Sequence, residues 1–424
     1  MKIIVFIRSH NDFDQVLPIL DYLIRIKNQV VEVYGVGDDY KNCTKHIHYL
    51  ENVLLNKVIS FYDAVLSNTD NKILNILHRS MFNKCSGKFK IFCSIVQVNF
   101  SEFVYYIVSL LSINKFIDNL SCKDIILVDS GSERIFPCKH IVSYAEVCGI
   151  STIGYAHGYD IFTNKDPIRI RVQKTRAPKI ILKILNKYFL RHNNSYCNKY
   201  IVGPGQILAT KSHLFMHVNF IEYSRLVEIG MPRFSREWID IFFGRGQISK
   251  QIYKKINVVL FLSNVKFNVN TSLLQEMIGV LSSYPEVNFK IAPHTRSGLT
   301  GLIDKKNENI TNLSSAEIIK WADVGIVYGS SIAFHMLIEN VVILNPKFID
   351  HNTNVYGDND VAVIVESLDD MLVFFNDFFV KKQAVNKINV DQFVDKYIYG
   401  NFLSYEDMMD SFFDHIMNTE NGKI

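Results

Sequence analysis

Several short segments combine cationic, hydroxyl and glycine residues in patterns that suit proton and phosphate chemistry. The first is Tyr155-Ala156-His157-Gly158-Tyr159. An imidazole titrates near neutral pH, so His157 suits a general base that takes a proton from an acceptor hydroxyl, and Gly158 lets the backbone turn directly after it. The alternative is a structural turn histidine. In Gly230-Met231-Pro232-Arg233 the glycine and proline set a rigid turn. Arg233 there either clamps a phosphate or carboxylate or closes an ordinary strand end. Ile291-Ala292-Pro293-His294-Thr295-Arg296 brings His294 and Arg296 together. Such a cationic pair can hold a diphosphate leaving group and offset its developing charge; the alternative is a solvated loop. The most informative segment is 322–335, ADVGIVYGSSIAFH, where an apolar run ends in Gly329-Ser330-Ser331 and a helical pattern starts at once. Unpaired N–H groups, two hydroxyls and the positive end of a helix dipole make an anion site there, and Gly329 permits close approach of a phosphate. Glu339, about two turns on, suits a ribose hydroxyl or is a surface residue. A plain serine N-cap is the competing reading of the segment.

A different chemistry is written between 165 and 199, where ten basic residues face a single acid, Asp166. Pro178 can open a helix, which places Lys179, Lys183, Lys187 and Arg191 at i, i+4, i+8 and i+12 with apolar residues on the other side. A basic amphipathic helix of this kind suits an anionic membrane surface, at about 1 kcal/mol per surface-proximal cation. A groove for an anionic acceptor and a solvated face are the other readings. His213 and His217 stand at i, i+4 but lack the glutamate of a zinc protease motif, and Asp358-Asn359-Asp360 has the composition of a turn. GxGxxG, Walker A and GxSxG motifs are absent from the sequence, which removes the nicotinamide, P-loop and serine-hydrolase readings.

These segments need a scaffold, and the chain is long enough for two or three domains at 424 residues. Its 48% hydrophobic and 21% charged residues exclude disorder, and 20 Gly with 9 Pro exclude collagen-like architectures. A net charge of +4 indicates no global binding of nucleic acid. The 7 cysteines contain no CxxC pair, which reads as reduced thiols in a cytosolic protein and not as a disulfide framework or zinc site. The first residues read as a strand, not a secretory h-region. The apolar stretch 91–113 is interrupted by Gln97, Asn99 and Glu102, so it reads as a buried helix more readily than a membrane span.

Apolar strand runs alternate with amphipathic helices: strands at 3–7, 30–36, 124–128, 151–156 and 199–202, with helices from Asp12 or Asp14 to about 28 and over 139–148. A second set has strands at 258–262, 288–292, 324–328 and 341–344, with helices over 273–281, 315–321 and 332–339. This alternation predicts parallel sheets covered on both faces. The polar, glycine-containing stretch 243–250 reads as an interdomain linker. The expected organisation is therefore an N-terminal Rossmann-like domain over 1–245, a C-terminal one over 246–395, and a C-terminal helix from 396 to 424 packing back across both. Ligands of open α/β sheets bind outside the C-terminal ends of the strands, where the motifs above fall.

The order of these motifs resembles that of the GT-B transferases of bacterial surface polymers, closest to the CDP-glycerol glycerophosphotransferase (teichoic-acid polymerase) and capsule-polysaccharide transferase group. The resemblance covers roughly 150–350. It lies in His157-Gly158, in Gly230 to Arg233, in His294, and above all in Ala322-Asp323 leading to Ser330-Ser331. The group usually has Asp-Tyr-Ser-Ser where this chain has Tyr328-Gly329-Ser330-Ser331, an acid where it has His335, a threonine where it has Tyr159, and a proline where it has Thr295. The resemblance implies a GT-B fold, two Rossmann-like doubly wound domains facing across a cleft. It implies His157 acting on the acceptor, and His294, Ser330 and Ser331 holding the donor phosphate. The expected activity is transfer of a sugar from a CMP-, CDP- or UDP-linked donor to a lipid-linked or oligosaccharide acceptor, a growing capsule or O-antigen glycan. His157 would activate the acceptor, while Arg233, His294, Arg296, Gly329, Ser330, Ser331 and Glu339 serve the donor. No cofactor, metal or nucleic acid is expected, and the location is cytoplasmic or peripheral on the inner membrane face. Polyol-phosphate transfer, UDP-sugar 2-epimerisation and an inactive nucleotide-binding scaffold are the rivals.

Overall fold

The computed structural model describes all residues except 67–111, 134–136, 157, 164–196, 208–222, 245–254, 264–268, 295–297, 300–302, 305–306, 379–385 and 419–424. The chain forms two compact units. Unit 1 comprises Met1–Gly158, Thr175–Ile229 and Glu406–Ile424; unit 2 comprises Tyr159–Lys174 and Gly230–Tyr405. Residues 230–245, which the sequence places in the first domain, thus stand with unit 2, and the last helix returns to unit 1.

Unit 1 is built on strands β1 (Ile3–Ile7), β2 (Val31–Gly35), β3 (Val58–Ser60), β4 (Ile125–Asp129), β5 (Ser151–Tyr155), β6 (Lys199–Val202) and β7 (Leu226–Glu228). They pair in the order β3-β2-β1-β4-β5-β6-β7, all parallel. A parallel sheet needs cover on both faces, and β1 meets that demand with five consecutive buried apolar residues. Its helices are α1 (His10–Asp21), α2 (Thr44–Asn52), α3 (Phe61–Val65) and α4 (Cys138–Val147). The sequence expects Asp12 or Asp14 to cap α1. Ser9 takes that place, and Asp12 reaches back to it, Oδ2 accepting from the Ser9 N–H at 3.3 Å and Oδ1 from the Ser9 hydroxyl at 2.5 Å.

In unit 2 the strands are β8 (Ile256–Phe261), β9 (Val287–Ala292), β10 (Val324–Val327), β11 (Val342–Pro346) and β12 (Val363–Val365), ordered β12-β11-β10-β8-β9 and again all parallel. The helices are α5 (Arg236–Phe243), α6 (Thr271–Ser283), α7 (Ser315–Trp321), α8 (Ile332–Ile338), α9 (Val355–Asp358), α10 (Leu368–Asn376) and α11 (Lys387–Phe393). One core, around Phe261, Phe334 and Ile343, covers one face of this sheet; a second, around Leu260, Ile326 and Phe375, covers the other.

The helical reading of the chain's end is interrupted. After α11 a π-helical turn, Val394–Ile398, leads to Gly400 and Asn401, both in the left-handed region at φ 67° and 63°. That conformation stops a helix. The chain restarts as α12 (Tyr405–Met417). Within unit 1, α12 is fixed by Asp410, which accepts from the Tyr22 hydroxyl at 2.7 Å and pairs with Lys27 at 2.5 Å. Lys199 donates its ammonium to the His415 carbonyl at 3.1 Å. Among the described residues no helix is long and apolar enough to cross a membrane, and the stretch 91–113 lies almost wholly outside them.

Candidate functional site

Each sheet has one place where the chain leaves in opposite directions from adjacent strands, and there the strand ends open a crevice. In unit 2 it lies between β8 and β10, because β9 joins one side of β8 and β10 the other. Ser263 follows β8 and donates its backbone N–H to the Tyr328 hydroxyl at 3.3 Å, tying the two strand ends together. Burial pushes the Tyr328 phenol up to about 12, the Ser263 N–H drawing it the other way.

Gly329-Ser330-Ser331 forms the turn from β10 into α8, as the sequence expects. Gly329 has φ +84°, and a Cβ there would lie 2.9 Å from Cζ of Phe162. Its backbone is therefore closely approached, by an aromatic ring of the chain itself. The Ser330 hydroxyl accepts from the Ile332 N–H at 3.3 Å, a serine turn ahead of the helix, while the N-cap residue, Ser331, makes no side-chain capping bond. The Ser331 hydroxyl makes no hydrogen bond among the described residues. Behind the turn lies Tyr356, fully buried, its hydroxyl without a hydrogen-bond partner among the described residues. Burial pushes this phenol up, while the N–H groups of Gly329 and Ser330, which face it, pull it back.

Three of the sequence motifs converge on Phe334, three residues beyond Ser331. The segment after His157-Gly158 enters unit 2 at Tyr159 and runs beside Asn354, with the Val355 N–H bonded to the Ile161 carbonyl at 2.8 Å. Tyr159 packs edge-on against Phe334 at 4.8 Å. In the Gly230 to Arg233 segment, the Met231 N–H bonds to the Ile398 carbonyl at 2.6 Å. A 3-10 turn over Pro232–Phe234 follows, closed by the Phe234 N–H on the Met231 carbonyl and the Ser235 N–H on the Pro232 carbonyl, both at 3.0 Å. Phe234 then stacks on Phe334 at 5.0 Å, and the Arg233 guanidinium lies over the Phe234 ring at 4.4 Å. His294 follows β9, and its backbone exchanges two hydrogen bonds with Gly298, at 3.0 and 2.8 Å. Glu339 ends α8 with its carboxylate 3.2 Å from Arg236, so the residue assigned to a ribose hydroxyl holds an ion pair. His157, Arg296, Lys179, Lys183, Lys187 and Arg191 lie outside the described residues.

Two features were missed by reading strand ends for glycine and histidine alone. In unit 2, Ser263 and Asn345 are 3% and 1% exposed, and Ser263 Oγ and Asn345 Nδ2 lack partners among the described residues. In unit 1 the crevice lies between β1 and β4. Arg8 follows β1 and Ser132 follows β4, and the Arg8 Nε–H donates to Ser132 Oγ at 3.2 Å. The Ser132 hydroxyl donates in turn to the buried carboxylate of Asp12 at 3.1 Å. The signal was present as Arg8-Ser9-His10 and Asp129-Ser130-Gly131-Ser132, each directly after an apolar run.

No family model matches the sequence, and no curated protein matches it. Solved structures do. The glycosyltransferase of kitacinnamycin superposes with a TM-score of 0.55 at 10% identity, over 98% of both chains. UDP-GlcNAc 2-epimerase from Neisseria meningitidis, bound to UDP-GlcNAc, superposes with a TM-score of 0.52 at 9% identity, over 98% of this chain and 99% of that one. The S. aureus MnaA–UDP structure gives a TM-score of 0.50 at 9% identity, over 98% and 95%. The fold is GT-B. The order of two Rossmann-like units along nearly the whole chain is shared, at identities that carry the fold and nothing finer.

Proposed function

We propose that the protein is a glycosyltransferase that takes its sugar from a nucleotide-activated donor. The observation that carries this reading is the convergence of separate motifs on helix α8 of unit 2, which starts at the end of β10. The turn Gly329 to Ser331, the Arg233 turn and the segment following His157-Gly158 all meet around Phe334. The fold likeness supports the same reading, since its members include a glycosyltransferase and a UDP-sugar enzyme. In this mechanism the donor's phosphate is held by the Ser331 hydroxyl at the turn after β10, with His294, Arg233 and Arg296 as the groups that would offset its charge. The acceptor oxygen attacks the anomeric carbon as its proton passes to His157. The bond from that carbon to the phosphate oxygen breaks, and the nucleotide leaves with the negative charge that the cationic groups offset. No divalent metal is needed.

The finer reading is that the acceptor is a growing capsule or O-antigen glycan at the inner membrane face, approached through Lys179, Lys183, Lys187 and Arg191. A CDP-linked polyol donor is the variant closest to the sequence resemblance. UDP-sugar 2-epimerisation is the second reading, favoured by the likeness to the Neisseria enzyme. It requires product from UDP-GlcNAc with no acceptor present.

The test is a thermal-shift panel of CMP, CDP, UDP, GDP and ADP. A ligand bound only to the folded state at about 100 times its Kd stabilises by about 2.7 kcal/mol. One nucleotide should do so, and Ser331→Ala or His294→Ala should abolish the shift. Ser330→Ala should also lower stability itself, by about 0.5–1.5 kcal/mol, because its hydroxyl accepts the Ile332 N–H at the start of α8. No shift with any nucleotide removes the donor site and returns the scaffold reading.

A further inference from the structure

The β1–β4 crevice of unit 1 holds a cation whose Nη groups donate to no described residue. Arg8 is half-buried at the C-terminal end of β1. Its backbone N–H donates to Asp12 Oδ2 at 3.0 Å, and its side chain makes one bond, from Nε to Ser132 Oγ at 3.2 Å. Among the described residues no carboxylate lies within ion-pair distance of the guanidinium, and neither Nη group donates a hydrogen bond. Asp12 is the nearest acid along the chain. Its oxygens accept from the N–H groups of Arg8 and Ser9 and from the hydroxyls of Ser9 and Ser132. Its charge therefore steadies the strand end and reaches Arg8 through the Ser132 hydroxyl.

The arrangement fixes a guanidinium without neutralising it. Ser132, 1% exposed, accepts from Arg8 and donates to Asp12, so the direction of its hydroxyl proton is set. With Nε anchored, the two Nη groups form a rigid fork. A fork of this kind matches the paired oxygens of a carboxylate or phosphate, and a half-buried charge left without such a partner is disfavoured. The position is also the ligand edge of a doubly wound sheet.

We propose that Arg8 is an anion receptor in unit 1, taking a carboxylate or phosphate group of a substrate through its two Nη groups at the β1–β4 crevice. The anionic group is one that an acidic sugar, a polyol phosphate or a nucleotide would present. The proposal stands apart from the donor site in unit 2, which fails or survives with Ser331→Ala.

Calorimetric titration of the full chain with methyl glucuronide, glycerol 1-phosphate, CDP and UDP tests it, in the wild type and in Arg8→Gln, Arg8→Lys and Ser132→Ala. At least one probe should bind the wild type and lose tenfold or more in affinity in Arg8→Gln. Arg8→Lys, which keeps the charge without the fork, should recover part of the loss. Ser132→Ala, which frees Nε and removes a donor from Asp12, should lose a few-fold in affinity when titrated below its own melting temperature. Loss confined to the glucuronide or glycerol phosphate assigns the anion to the acceptor, and loss with the nucleotides assigns it to the donor. Absence of binding by the wild type to every probe, or affinities that Arg8→Gln leaves within threefold, overturns the proposal.

Discussion

Gly329 joins two demands in one residue: a left-handed backbone and room for the Phe162 ring. An L side chain at φ +84° costs about 1–2 kcal/mol before any contact is counted. The 2.9 Å approach to Phe162 adds to it, because the ring is itself held between unit 2 segments. Gly329→Ala should therefore destabilise the protein by roughly 1–3 kcal/mol in urea unfolding. Phe162→Leu in the same chain should return part of the loss, since it removes the contact and leaves the backbone strain. The sequence gives the need for glycine here but assigns it to a phosphate. Phe162 is 167 residues away in the chain, and nothing in local spacing tells that its ring lies there. Arg8 illustrates the opposite case. Its value comes from what does not pair with it, and a sequence lists charges without their partners.

Helix α12 carries a histidine through which its setting responds to pH. His415 lies half-buried at its last turn, and both burial and the Lys199 ammonium hold its pKa below the ordinary histidine value. In the unfolded chain the imidazole titrates at its ordinary value, near 6.5. The unfolded state thus binds the proton more readily, so this contribution to stability is whole above about pH 6.5 and is lost as pH falls toward the folded-state value. Urea midpoints compared at pH 7.5 and 5.5 should fall on acidification, and His415→Gln should flatten that dependence. A slope unchanged in His415→Gln would remove the assignment. At this scale the sequence is most legible. Strands and helices follow from apolar runs and helical spacing, and their ends shift by a few residues where a cap or a turn intervenes. The break at Gly400-Asn401 escapes the hydrophobic pattern because apolar spacing resumes in phase on its far side. It is signalled by the glycine alone.

The two units exchange chain repeatedly, at Gly158–Tyr159, Lys174–Thr175, Ile229–Gly230 and Tyr405–Glu406. Hydrophobic periodicity identifies two α/β sets but not these exchanges, since a strand pattern reads the same whichever sheet it joins. For that reason the sequence places a boundary at the glycine-containing stretch 243–250, while the chain enters unit 2 at Gly230. The consequence for truncation is direct. Met408, Met409, Phe412 and Ile416 are 0%, 0%, 5% and 1% exposed. At about 1.5–3 kcal/mol for each buried side chain, their removal is comparable with the roughly 5–15 kcal/mol that stabilises a whole domain. A chain ending at Ser404 should show no cooperative unfolding of unit 1 in a thermal scan, and adding a peptide of residues 405–424 should restore it in part. A sharp transition unaltered by the deletion would mean that α12 is dispensable to unit 1.

The same return of the chain orders events during synthesis. The strands of unit 1 leave the ribosome first, yet the helix that covers Tyr22 and Lys27 is made after the whole of Gly230–Tyr405. At about 5–20 residues per second, that delay is roughly 10–35 s. Throughout it the nascent unit 1 carries an uncovered apolar face, the one that Met408, Met409, Phe412 and Ile416 later close. Unit 1 therefore cannot finish folding before the strands of unit 2 have been made, although its own strands come first along the message.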